Sequence, residues 1–175
     1  MPSIPRPLVP GDDGSADPAV AAALTAYDAG GADATEVLSA LSGARLLVPV
    51  VALLTASEVG AHGLEQEKES EMALPKLIGG DGREAVPAFT GAAALTRWRP
   101  DARPIQVSTL QVCRAAVAEQ AAAVVVDVAG PVSFVIEGDV LTALAAVAAG
   151  AAPEGATVAR LAPVSRKRRW PWRRS

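Results

Sequence analysis

The sequence predicts a mixed α/β domain of the α+β kind, and three observations predict it. Helical and strand-like segments alternate along the chain. A glycine-rich turn between two short apolar runs interrupts that alternation with a hairpin. A pair of capped amphipathic helices precedes the first strand. Uninterrupted βα alternation would point to a doubly wound sheet instead. The 175 residues make one domain with a segment left over at each end. The expected plan is a disordered N-terminal segment over 1–16, a helix pair over 17–43, a single domain with a mixed sheet over 45–150, and a linker with a disordered basic tail over 151–175.

The first helix starts at Asp17-Pro18, with Asp as N-cap and Pro at the first helical position. Val20, Ala23, Leu24 and Tyr27 mark its inner face, and Gly30-Gly31 ends it. Asp33 and Glu36 form a capping box for a second helix carrying Ala34, Val37, Leu38 and Leu41, closed by Gly43. Residues 45–51 read as a buried strand despite Pro49. Residues 72–78 and 84–89 flank Gly79-Gly80-Asp81-Gly82 as hairpin arms. Pro75 and Pro87 place those arms at edges or bulges, because proline cannot donate to a ladder. Thr90 is the expected cap of a short helix with Ala94, Leu95 and Trp98 on its apolar face, ended by Arg99-Pro100. A strand over 105–107 leads through a Ser108/Gln111 capping box into a helix lined by Leu110, Cys113 and Val117. Strands over 122–128 and 132–136 precede a last helix over 139–149, with Leu141, Leu144, Ala145 and Ala148 inward.

The order of these segments is familiar. Leu74-Pro75-Lys76-Leu77, Asp81-Gly82, Ala85-Val86-Pro87-Ala88-Phe89-Thr90 and the downstream Leu95 and Trp98 resemble the SseB N-terminal-domain family. Its members show a strand, an Asp-Gly turn and a Pro-x-Phe-Thr strand leading into a short helix that ends near a Trp. Val124-Val125-Val126-Asp127 through Glu137 is similar to the family's later strand pair and final helix. Where the family usually carries an Asn-Pro-Gly-like turn, this chain has Asp127-Val128-Ala129-Gly130-Pro131. The resemblance spans roughly 45–150 and leaves the helix pair and the basic tail outside. It implies a small cytoplasmic protein of actinobacterial type and supplies no reaction.

Composition narrows the chemistry. One cysteine, Cys113, leaves no internal disulfide and no cysteine zinc site within the chain. Cys113 falls on an apolar helix face and reads as core. His62 lies in a polar connection with nothing nearby to orient it as a base. Glu65, Glu67, Glu69 and Glu71 alternate and would line one face of an extended segment, but no calcium-loop pattern accompanies them, so they read as a solvated acidic face. Gly79-Gly80-Asp81-Gly82 is followed by a strand and not by a helix, which fits a hairpin turn better than a phosphate loop. Arg83, Arg97, Arg99 and Arg103 read as exposed charges alternating with a core Trp. No catalytic residue, cofactor site or metal site is assigned. The N-terminal stretch lacks the basic and apolar regions of a signal peptide, and the longest apolar runs fall short of the ~20 residues that span a bilayer. A cytoplasmic location follows, with peripheral membrane contact open.

Charge is unevenly placed. The chain holds 16 basic and 19 acidic side chains, net −3. Without its last ten residues it holds 10 basic and 19 acidic, net −9. The tail carries Arg166, Lys167, Arg168, Arg169, Trp170, Trp172, Arg173 and Arg174. Six cations draw it to polyanions, and the tryptophans can stack on bases or settle among lipid headgroups. The expected function is therefore non-enzymatic binding or regulation. The body would contact an unknown protein partner, and the tail would tether to RNA, a ribosome or an anionic membrane. An enzyme with an unrecognised site, and a homodimer paired through an edge strand, are the alternatives.

Overall fold

A computed structural model describes residues 8–54 and 70–148. Its order is α1 (Pro18–Asp28), α2 (Ala34–Ser42), β1 (Arg45–Leu54), β2 (Ser70–Ala73), β3 (Leu77–Ile78), β4 (Glu84–Ala88), α3 (Ala92–Trp98), β5 (Arg103–Ser108), α4 (Thr109–Ala118), β6 (Ala123–Val126), β7 (Phe134–Glu137) and α5 (Gly138–Ala148). The mixed helix-and-sheet class is as the sequence predicts.

The strands form two sheets, ordered β2-β1-β5 and β3-β4-β6-β7. All pairings are antiparallel except β4 with β6. One bridge joins the sheets: Leu47 and Phe89 exchange both backbone hydrogen bonds at 2.8 Å. Side chains alternate between two cores with the period-2 rule of a strand. Leu46 and Val48 of β1, Val86 and Ala88 of β4, Val124 and Val126 of β6, and Phe134 and Ile136 of β7 face α1, α2, α4 and α5. Leu47, Ala85, Phe89, Ala123 and Val125 face Leu95 and Trp98 of α3. Val20, Leu24, Val37 and Leu41 belong to the first of these cores, so the N-terminal helix pair packs on the domain. Tyr27 meets Phe134 edge to face at 5.4 Å.

The helix starts hold as read. Asp17 accepts from the amides of Ala19 and Val20, and both capping boxes, Asp33/Glu36 and Ser108/Gln111, close on each side. Four expectations change. The arm over 72–78 splits: Ala73 and its predecessors pair with β1, and only Leu77–Ile78 pairs with β4. Pro75 lies in the break, where a missing donor costs no ladder bond. Thr90 does not cap α3; Gly91 takes the N-cap position without a side-chain bond. The buried face of α4 is Thr109, Val112, Cys113 and Ala116, while Val117 is 45% exposed. That face is rotated from the expected one because Thr109 turns inward to donate to the Leu41 carbonyl at 2.7 Å. In α5, Val140 joins Leu141 and Ala145 as buried, and Leu144 is only partly buried.

The prolines inside strands sit where no bond is lost. The Leu47 backbone is spent on Phe89, so Leu47 and Gln106 face each other as a non-hydrogen-bonded pair. Two residues on, Pro49 faces Pro104 in the same class of pair. Pro87 follows the same logic. Its neighbours Glu84 and Ala88 send their carbonyls toward the β6 side, so its missing N–H faces the gap between the β3 pairing and the Leu47 bridge.

α4 ends with Gln120 at φ +57°, donating to the Val117 carbonyl while Ala121 donates to Ala116. This double bond pattern normally places glycine at the left-handed position, because a Cβ there costs about 1–2 kcal/mol. Gln120→Gly is expected to raise stability by about 0.5–1 kcal/mol. Chemical denaturation checks it as an increase in midpoint at unchanged slope.

Candidate functional site

The family-like run Pro87-Ala88-Phe89-Thr90 ends β4 at the point where every layer meets. The Ala88 carbonyl accepts from the Asp127 amide at 2.8 Å, extending the parallel pairing by one residue. Phe89 makes the bridge to β1 and packs on Trp98, ring centres 5.5 Å apart. Thr90 then closes the parallel strand ends. Its amide donates to Asp127 Oδ1 at 2.8 Å and its hydroxyl to Asp127 Oδ2 at 2.6 Å.

Asp127 is 6% exposed and sits at φ +52°, a region Asp tolerates better than most residues. Its carbonyl accepts from the Gly130 amide and the Ser133 hydroxyl, which fixes the turn into β7. Burial pushes its carboxyl above the usual carboxylate range, and the two Thr90 donors pull it back. Thr90 is equally buried at 6%, so the pair is a sealed tie between strand ends. Cys113 is fully buried, and burial pushes its thiol up to about 12, far from a reactive thiolate.

A second constellation lies at the start of β1. The Arg45 side chain is 7% exposed and the Asp12 side chain 10%. Arg45 Nη2 donates to Asp12 Oδ1 at 2.7 Å while Nε donates to Oδ2, a forked guanidinium–carboxylate pair. Arg45 also donates to the carbonyls of Thr90 and Ser15. Gln106 Nε2 donates to Asp12 Oδ2 at 2.8 Å, and Gln106 Oε1 accepts from the Val9 amide at 2.8 Å. Residues 8–16, expected within a disordered segment, are thereby laid against the domain. The Arg45 fork and the Gly14 amide hold the Asp12 carboxyl at about 2, from an ordinary 3.8. Nothing in the local sequence marks this pair, which is 33 residues apart.

Three of the four arginines singled out above, Arg83, Arg97 and Arg99, have partners within the described residues. Arg83 pairs with Asp81 and Glu137, Arg99 with Asp101, and Arg97 donates to the Ala129 carbonyl at 3.4 Å. A groove of about 290 Å³ opens between β3 and the end of α3, lined by Pro75, Lys76, Leu77, Trp98, Arg99 and Pro100. Its cations are neutralised: Lys76 Nζ lies 2.9 Å from Glu84 and 3.6 Å from Glu119. Among the described residues no three His, Cys, Asp or Glu side chains converge as a metal site, and no helix is long and apolar enough to cross a membrane. His62, Glu65, Glu67, Glu69 and the tail residues 166–174 lie outside the described residues, as do the surroundings of the Glu71 side chain.

These features define an α+β domain of two bridged sheets, locked at its parallel strand ends by a buried Thr–Asp tie. The chain belongs to the SseB family: the model of the SseB protein N-terminal domain matches residues 20–143. The match begins within α1 and so takes in the helix pair that the resemblance left outside. No curated protein and no solved structure matches the chain.

Thr90→Val removes one donor from a buried carboxylate and is expected to cost about 1–3 kcal/mol, with Thr90→Ser costing less. Equal losses for the two variants would show that the hydroxyl bond is not the cause. The two carboxylates respond to pH with opposite sign. Asp12, lowered on folding, contributes stability above its ordinary 3.8 that is lost as pH falls through about 2. Asp127, raised on folding, contributes below its ordinary 3.8, and that share is lost as pH rises through the raised value. In denaturant titrations across pH, the advantage of wild type over Asp12→Asn should therefore vanish toward pH 2, whereas its advantage over Asp127→Asn should shrink as pH rises above 3.8.

Proposed function

We propose that this SseB-family protein is a non-enzymatic, cytoplasmic binding protein whose acidic body engages a protein partner and whose basic tail tethers the complex to a polyanion. The observation that carries the reading is the segregation of charge. The body holds a net −9, and the last ten residues hold six cations and two tryptophans with no acidic side chain. A body of that charge repels RNA and anionic lipid, so contact with either must run through the tail. Supporting it, the buried groups with reactive potential in the described residues are engaged: Asp127 by Thr90, and Cys113 by apolar packing.

Cations along a single-stranded polyanion release counterions, so six contacts give a log–log salt slope of about −4. Each stacked Trp adds about 1–3 kcal/mol. The test compares the full chain with a 1–165 truncation by sedimentation of lysate, with RNase-treated and membrane-stripped controls. Sedimentation of the full chain alone, abolished by RNase, assigns the tail to RNA or ribosomes. Loss on membrane stripping assigns it to anionic lipid. If both forms stay in the soluble fraction, the tether fails. The truncation is expected to melt within about 1 °C of the full chain, because the core of the described residues is complete at Ala145 of α5. A larger drop would place tail residues in the core.

A further inference from the structure

We propose that the trough formed by Arg45, Gln106 and Gly91 is a recognition site for a turned, carboxylate-bearing Asp-x-Gly segment of a partner protein, held shut in cis by residues 8–16. This inference stands apart from the tail and does not depend on it.

The seated arm shows what the trough reads. The carboxylate of Asp12 takes the Arg45 fork and the Gln106 amide, and the Gln106 carbonyl receives the arm's Val9 N–H. Two residues after Asp12, the Gly14 carbonyl accepts from the Ala92 amide at 2.7 Å. Glycine is required on both sides of this approach. A Cβ on Gly91 would stand 2.9 Å from the Ala16 nitrogen, and one on Gly14, at φ +80°, would stand 3.0 Å from the Ala92 Cβ. The trough therefore selects an Asp-x-Gly segment in a turned form, in which the Gly14 amide donates to Asp12 Oδ1 at 2.9 Å.

The arm is held almost wholly by polar contacts. Leu8 and Val9 are 50% and 43% exposed, and among the described residues the core begins at Val20. Lifting the arm removes little apolar burial and returns to solvent a guanidinium whose side chain is 7% exposed with the arm seated. The arm's hold therefore rests on a charged fork and a few hydrogen bonds, which a competing carboxylate can supply in the same geometry. The arm's own effective concentration, in the millimolar range for a short tether, keeps the site closed until a competing segment or a weakened arm shifts the balance. The body's negative charge slows encounter with an acidic segment without altering the local clamp.

The test uses the full chain carrying Asp12→Ala and a fluorescent peptide of residues 8–16. Saturable binding to this variant is expected. Binding should be at least about tenfold weaker to wild type, to the Asp12→Ala/Arg45→Lys double variant, and for a peptide carrying Asp12→Asn. A variant that melts cooperatively but binds no peptide overturns the proposal, as does equal binding by the double variant. Should Asp12→Ala fail to fold, Asp12→Asn takes its place. In wild type, the Ala92 amide should exchange with solvent at least about tenfold faster than the core amide of Val125, since the arm opens before the domain. Equal protection of the two overturns the proposal without any variant. A concentration-dependent dimer of Asp12→Ala that the peptide dissolves would assign the trough to a second copy's arm and overturn the partner assignment.

Discussion

The architecture depends on four consecutive residues at the end of β4 serving two sheets at once. A strand has only two edges, and β4 has spent one on β6 by the time it reaches Ala88. Its other edge is shared in succession by β3 and, at Phe89, by β1. Pro87 fills the interval between those partners, where a donor would have none. Thr90 then turns the chain out of the sheet while its amide and hydroxyl remain satisfied by Asp127. The Pro-x-Phe-Thr pattern is thus a backbone accounting solution: each residue answers a different pairing demand at one junction.

The carboxylates of Asp127 and Asp12 show how environment divides one functional group into two roles. Asp127 faces neutral donors inside the fold, so burial raises its proton affinity even as the hydrogen bonds restrain the rise. Asp12 faces a guanidinium, so its charge is held to strongly acidic pH. The first ties strand ends that never need to part. The second holds an arm whose apolar residues stay exposed, which is a contact built from exchangeable interactions.

The proposed binding role draws on surfaces and termini. The domain's interior is committed to packing on both faces of its sheet, one under four helices and one under α3. Charge is partitioned between an acidic body and a basic, Trp-bearing end of the chain, an arrangement suited to holding two different classes of partner. Family membership supports the architecture and supplies no biochemical role.

The sequence by itself determined what is local. Caps at Asp17, Asp33 and Ser108, the glycine stops after α1 and α2, and the apolar runs of β1, β4, β6 and β7 were legible because each is set within a few residues. Only the tertiary structure decided which partner each polar group takes. Thr90 reads as a helix cap, yet it serves Asp127, 37 residues away. Asp12 reads as a residue of a loose terminus, yet it takes the forked pair of Arg45, 33 residues away. Thr109 turns α4 by choosing the Leu41 carbonyl, 68 residues back. Hydrogen-bond partners at such separations leave no periodic trace in a single chain, because their energy depends on distance in space and not along the sequence.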